Sequence, residues 1–385
     1  MSKAYSDVLI IGAGLAAITL VRELRKRNAE ISITLVTADD GHFYSKPMLS
    51  NGLAAGKTAA ALVMTPRELL SAQLKIDMLP LTRVESIATA ARVVNTSKGE
   101  LSYGSLVLAV GAQPIRLPIE GDGAADVLSI NHLNDYAIYR ERLEGRQRVA
   151  LLGAGLIGCE FANDLRLSGR EVDVFDIAPQ PLGRLLPTGA GSAYRKGLEA
   201  AGVRFHFGGS VQRIERVEGG YRLHDSQGGE TEVDLVVSAV GLKPETALAA
   251  ASGLAVNRGI VTNAQLAASA SDVYALGDCA EVAGQVLPFV MPIMHQAKAL
   301  AATLTGTPTD VVYPAMPVVV KTPACPAVVC PPAPGVDGAW QEVPTPDGVQ
   351  AVFIGATGEL LGFALVGGEA VKAKQSLASR LPIAA

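Results

Sequence analysis

The chain has 385 residues, 49% of them hydrophobic and 18% charged, with a formal net charge of −4. That length suggests two or three domains of about 100–200 residues each. The apolar content excludes a disordered chain, and the acidic balance offers no overall basic excess for nucleic acid or an anionic membrane. No apolar leader with a cleavage site opens the sequence, and no long apolar run is free of charges and turn formers. The expectation is a cytoplasmic chain with no membrane span.

Residues 7–11 read as a buried strand and run into Gly12-Ala13-Gly14-Leu15-Ala16-Ala17. A helical pattern follows, with Ile18, Val21 and Leu24 on one face and Arg22, Glu23 and Arg25 between them. This is the spacing of a dinucleotide turn. The first glycine permits the tight turn, the second lets backbone approach a pyrophosphate, and the third position must be small so that helix packs on strand. The helix start then holds the phosphates with its N–H groups. The next strand, residues 31–36, is followed by Thr37 and Ala38 where an acidic residue is expected; Asp39 and Asp40 arrive late. The ribose of this unit therefore falls to the threonine hydroxyl or to backbone.

The pattern recurs. Strand 149–152 leads into Gly153-Ala154-Gly155-Leu156-Ile157-Gly158, with Phe161 and Leu165 beyond. Here the acid is in place: residues 172–176 alternate as a strand that ends on Asp176. A carboxylate about 20 positions past the glycines bonds a ribose 2′-hydroxyl and repels a 2′-phosphate, which favours NADH over NADPH. The alternative is that Asp176 only caps a turn. A single glycine turn is weak evidence, but two with strand before and helix after point to two dinucleotides.

Further segments carry a family resemblance. They are 106–112 and 236–244, each a strand ending in a glycine turn, and Val273-Tyr274-Ala275-Leu276-Gly277-Asp278. With the two glycine turns, these resemble the two-dinucleotide pyridine nucleotide–disulfide oxidoreductases, and within them the NADH-dependent rubredoxin reductases, over essentially the whole chain. The resemblance implies an α/β fold with two Rossmann-like domains, for FAD and NAD, and a small C-terminal α+β domain. It implies a divided FAD domain at 1–112 and 242–310, an NAD domain at 113–241, and a tail at 311–385 where composition shifts to Pro and Val. Strands are expected in the tail at 351–354 and 361–365.

By resemblance, FAD falls to Gly12, Gly14, Leu15 and Ala16 at the first turn, then to Thr37, Ala38, Val84 and Ala109. Gly277 and Asp278 hold its ribityl chain. NADH falls to Gly153, Gly155, Leu156, Ile157 and Gly158, with Asp176 and Gly241. Lys46 and Glu160 are implied to form an ion pair where flavin and nicotinamide meet, and both are nominated as catalytic. Lys321 is implied to lie by the flavin's pyrimidine edge, where a cation steadies the reduced ring.

Many relatives keep a redox cysteine early in the FAD domain. The matching stretch here, 42–50, has none; the cysteines are Cys159, Cys279, Cys325 and Cys330, with no CxxC pair and no metal-ligand spacing. A disulfide or peroxide substrate would lack its nucleophile. Electrons must then leave the flavin directly, and a one-electron iron protein is the natural acceptor. Segments 44–50 and 320–326 look like those of rubredoxin reductases, implying NADH:rubredoxin oxidoreduction, for instance ahead of alkane hydroxylation. The expected partner is rubredoxin, a small acidic iron protein, and the expected assembly a monomer or weak dimer. Cations at Arg22, Arg25, Lys26 and Arg27, and at Lys372, Lys374 and Arg380, are candidates for docking it. The rival readings are a ferredoxin reductase of an oxygenase system and an NADH-sensing flavoprotein scaffold.

Overall fold

The computed structural model describes residues 4–382. Strand Ala4–Ile11 is apolar without alternation from Val8 to Ile11 because it is covered on both faces, as central parallel strands are. It pairs in parallel with Ile33–Val36 on one side and Gly99–Leu108 on the other. Asp77–Leu79 extends the sheet beyond Ile33–Val36, and Val273–Ala275 joins it at Gly99–Leu108. The 99–108 strand also carries Val93–Thr96, which in turn pairs Val84–Ala88; both pairings are antiparallel. Helices Leu15–Arg27 and Val290–Leu304 pack against each other, and each buries small residues, Ala16 and Ala17 on one and Ala297 and Ala301 on the other.

A second parallel sheet runs in the order Leu128–Ser129, Leu235–Ser238, Arg148–Leu152, Glu171–Asp176, Val203–Phe207. An antiparallel meander (Val211–Val217, Gly220–Asp225, Glu230–Val233) closes over a small core of Ile214, Leu223 and Val233. The two passages between the sheets lie side by side: Ala112–Pro114 pairs antiparallel with Leu242–Pro244.

The tail forms an antiparallel sheet in the order Val318–Val320, Ala327–Cys330, Leu360–Val366, Gly348–Gly355, Gly338–Thr345. Strand 348–355 alternates buried and half-buried residues, the period of a sheet with one covered face. Val349, Ala351, Ala364 and Val366 share a core with Ala190, Tyr194 and Leu198 of helix Thr188–Ala200. The start of that helix is capped from the tail. The Glu342 carboxylate accepts from Gly189 N–H at 3.1 Å and Ala190 N–H at 2.6 Å, which satisfies donors a helix end otherwise leaves open. Among the described residues no helix is long and apolar enough to cross a membrane.

Candidate active site between two glycine turns

Both glycine turns sit at the point where their sheet reverses strand order, the place where open α/β sheets bind ligands. Gly12 follows strand 4–11 with φ +112°, and a Cβ there would stand 2.3 Å from the carbonyl oxygen of Ala109, the residue after the neighbouring strand. Gly153 has φ +104°, and its Cβ would stand 2.7 Å from the carbonyl oxygen of Ala239, the equivalent residue in the second sheet. Gly158 must stay small because a Cβ would fall 1.9 Å from Gly153 O; Ala17, fully buried, takes that place in the first unit.

Gly14 and Gly155 differ from these. A Cβ on either would meet nothing within 4 Å. Each is the cap of its helix, no side chain satisfies the helix start, and neither first turn contains an acidic residue. Free N–H groups facing open space fit a pyrophosphate at each turn. Leu15 and Leu156 are half-buried and Ile157 is exposed at these helix starts.

Around the first turn, Gly277 (φ +79°) lies so close to helix 15–27 that a Cβ would meet Ala16 Cβ at 2.8 Å. The Gln296 side chain accepts from Gly277 N–H at 2.7 Å and fixes the turn. Asp278 beside it has its carboxyl raised by burial and partly held down by Lys46. Thr37 is buried, and its hydroxyl accepts from Asp39 N–H at 3.2 Å; its carbonyl accepts from Thr82 N–H, two residues before Val84, which opens strand Val84–Ala88. Ala38 is exposed. Around the second turn, Asp176 accepts from Ala154 N–H at 2.5 Å and Ala178 N–H at 2.8 Å. It thus caps the turn, yet a carboxylate has about four lone-pair positions, so sites remain for a ribose diol. Gly241 is exposed with φ +115°, and its carbonyl accepts from Ile115 N–H at 3.1 Å.

The expected ion pair of Lys46 with Glu160 does not form. Glu160 is fully buried on helix Leu156–Leu167, and the cation that reaches it is Lys321, with Nζ 2.7 Å from Oε2. Ser50 donates to the same oxygen at 2.5 Å, and Lys321 N–H donates to Oε1 at 3.0 Å. The Lys321 ammonium also donates to the Pro47 carbonyl and, at 2.9 Å, to Ser50 Oγ. Both Glu160 oxygens are thus engaged, by Ser50 and Lys321, and Lys46 is not among their partners. Lys46, at the start of the 3-10 helix Lys46–Asn51, instead donates to Asn131 Oδ1 at 3.2 Å. Burial lowers its ammonium, opposed first by Asp278.

The same face of helix 156–167 carries more of the junction, by i, i+3, i+4 spacing. Asp164 accepts from Leu53 N–H at 2.9 Å and Ala54 N–H at 3.0 Å, and Asn163 accepts from Ala324 N–H at 3.1 Å. Ser50, Asn131, Asn163 and Asp164 were not singled out by sequence; the polar triplet at 160, 163 and 164, in a helix whose one other charged residue is Arg166, is the one signal that was there. Four of the docking candidates have partners within the fold; Arg22 lies over the Phe43 ring, and Lys26 and Lys372 make exposed pairs. Arg25 donates to the carbonyls of Leu74, Ile31 and Lys75, Lys26 pairs Glu23, and Lys372 pairs Glu369. All four thiols are buried, and burial pushes each up, Cys279 and Cys325 to about 11. Burial thus disfavours the thiolate at each of them.

Residues 6–302 match the family model of pyridine nucleotide-disulphide oxidoreductases, and the chain belongs to that family. Residues 310–381 match a model described as a rubredoxin binding C-terminal domain. The rubredoxin-NAD(+) reductase of Alcanivorax borkumensis is 46% identical over 97% of this chain and 98% of its own. That of Acinetobacter baylyi is 45% identical over 97% and 98%. A crystal structure of a ferredoxin reductase from Rhodopseudomonas palustris superposes with a TM-score of 0.87 at 27% identity, covering 98% of this chain and 96% of that one.

Proposed function

We propose that this chain is an NADH:rubredoxin oxidoreductase that uses FAD. The observation that carries the reading is the tail: a segment matching a rubredoxin-binding domain is joined to the junction of the two dinucleotide units through Lys321 and Glu160. When bound, FAD supplies the ability to accept a hydride from NADH and to release electrons singly.

The protein's own residues bind, align and seal. The open faces at Gly14 and Gly155 take the two pyrophosphates on helix starts. Asp176 selects a free 2′-hydroxyl over a phosphate. The Ser50–Glu160–Lys321 network ties three segments distant in sequence and holds the two cradles at one separation, which hydride transfer needs more than it needs a protein acid or base. Lys46 and Asp278 place opposite charges where the first cradle opens toward the second. With no reactive thiol at the junction, electrons leave without a covalent relay.

Stopped-flow mixing of the NADH-reduced, FAD-loaded protein with rubredoxin and with a ferredoxin tests the reading. Rubredoxin should be reduced at least tenfold faster. A ferredoxin reduced as fast would favour an oxygenase-type reductase, and a yellow protein that NADH does not bleach would favour a sensing scaffold.

A further inference from the structure

Lys46 lies among more partners than an ion pair would give it. Its ammonium is set between Asn131, at hydrogen-bond distance, and the field of Asp278, with Asp39 and Asp135 beyond and His132 alongside. No carboxylate reaches within 4 Å of it among the described residues, so the contact that fixes its place is a neutral amide oxygen.

That amide is itself held. Asn131 is 2% exposed. Its Nδ2 donates to the Ala112 carbonyl at 2.9 Å and lies 3.1 Å from His132 Nε2. Burial, and then the nearby Lys46, lower His132. The bond to the Ala112 carbonyl fixes the amide with Nδ2 toward the passage between the sheets and Oδ1 toward Lys46. The backbone is pinned as well: Asp135 accepts from the N–H groups of Asn131 and His132 at 2.9 and 2.8 Å. Two residues before Lys46, the Tyr44 hydroxyl accepts from Leu133 N–H at 3.2 Å. The 44–46 segment is thus moored to the start of helix Leu133–Arg142 at two points. Ala112 belongs to the passage between the sheets, so this mooring registers Lys46 against the crossing of the chain.

The geometry points to Asn131 as the positioning residue of Lys46: its Oδ1 holds the ammonium at the start of the 46–51 helix, apart from the Glu160–Lys321 pair. This rests on the proposed function in one respect, that Lys46 faces the flavin. Asn131 touches neither cofactor in this account and acts through the lysine. The sign follows from the burial of Lys46. A group whose ammonium is already lowered by burial is lowered further when its acceptor is removed, so the charge is lost at a lower pH. A carboxylate in place of the amide has the opposite effect.

The test uses the FAD-loaded protein and two readouts, the flavin midpoint potential as a function of pH and the rate of flavin reduction by NADH. Asn131→Leu should lower the potential at neutral pH, slow reduction by about 10-fold or more, and move the alkaline limb of both profiles to lower pH. Asn131→Asp should move that limb above the wild-type position; it carries the test alone if the leucine variant does not hold flavin. Lys46→Met is the control. If it leaves the potential and its pH dependence unchanged, Lys46 does not face the flavin and the underlying reading fails. If Lys46→Met shifts the profile while both Asn131 variants keep the wild-type limb, the positioning role is wrong.

Discussion

Replacing Lys321 by Met removes one member of a buried pair and leaves the other in place. Glu160 is fully buried, so the variant would leave a carboxylate with neither its cation nor water beside it. Breaking such a pair costs about 3–5 kcal/mol when both groups are fully desolvated. Two features of the site reduce that figure. The Lys321 side chain retains 29% of its exposure, and Glu160 keeps the Ser50 hydroxyl and the Lys321 N–H as donors. The expected loss is about 2–3 kcal/mol. Urea unfolding of the FAD-loaded protein reads it as a lower midpoint at unchanged slope. Glu160→Gln in the same background removes the orphaned charge, so the double variant should recover part of the loss, with a coupling above about 1 kcal/mol. A coupling below about 0.5 kcal/mol, or a Lys321→Met protein with the wild-type midpoint, would mean that water reaches Glu160 and that the reasoning is mistaken.

The two kinds of glycine separate folding from binding. Gly12→Ala drives a Cβ to 2.3 Å from a carbonyl oxygen, and should give insoluble or colourless protein; Gly14→Ala meets no protein atom, and should fold with wild-type circular dichroism but lose flavin on dialysis. Gly155→Ala should stay yellow and show a KM for NADH raised about 10-fold or more, seen in steady-state titration. Asp176→Ala should lower the NADH-to-NADPH ratio of kcat/KM by about 10–100-fold, equivalent to roughly 1.4–2.8 kcal/mol. Since all four thiols are buried and raised, an aromatic disulfide reagent should titrate none of them in the native protein at pH 7.5 and all of them after denaturation.

The class of fold was legible because its signals are local. The strand readings at 149–152 and 172–176 fall within Arg148–Leu152 and Glu171–Asp176, and the tail strands at 351–354 and 361–365 fall within Gly348–Gly355 and Leu360–Val366. Strand 31–36 proved shorter, Ile33–Val36; the Ser32 carbonyl still accepts from Val8 N–H, but its own N–H and hydroxyl donate to the Asp7 carboxylate. What the sequence did not disclose are contacts between residues far apart in the chain. Lys46 and Lys321 both lie within two residues of a following proline, and nothing local says which of them reaches Glu160. The answer depends on how the tail strand ending at Val320 is laid across helix 156–167. Asn131 has no spacing signature at all; its role exists only once Ala112 and Lys46 have been folded around it. The cationic run at 22–27 looked like a docking face, but Arg25 closes the loop around Leu74 and Lys75, a use that charge patterning cannot distinguish from exposure.

The cap that Glu342 places on helix 188–200 has a consequence for anyone recombining these proteins. The tail cannot be treated as an interchangeable adaptor. Its strand 338–345 completes a helix belonging to the second parallel-sheet unit, through Gly189, where a Cβ would stand 2.5 Å from Glu342 Oε2. A hybrid that grafts this tail onto another reductase must import the glycine and the Ala190–Tyr194–Leu198 face along with it, or the new partner's helix will begin with bare N–H groups against a displaced carboxylate.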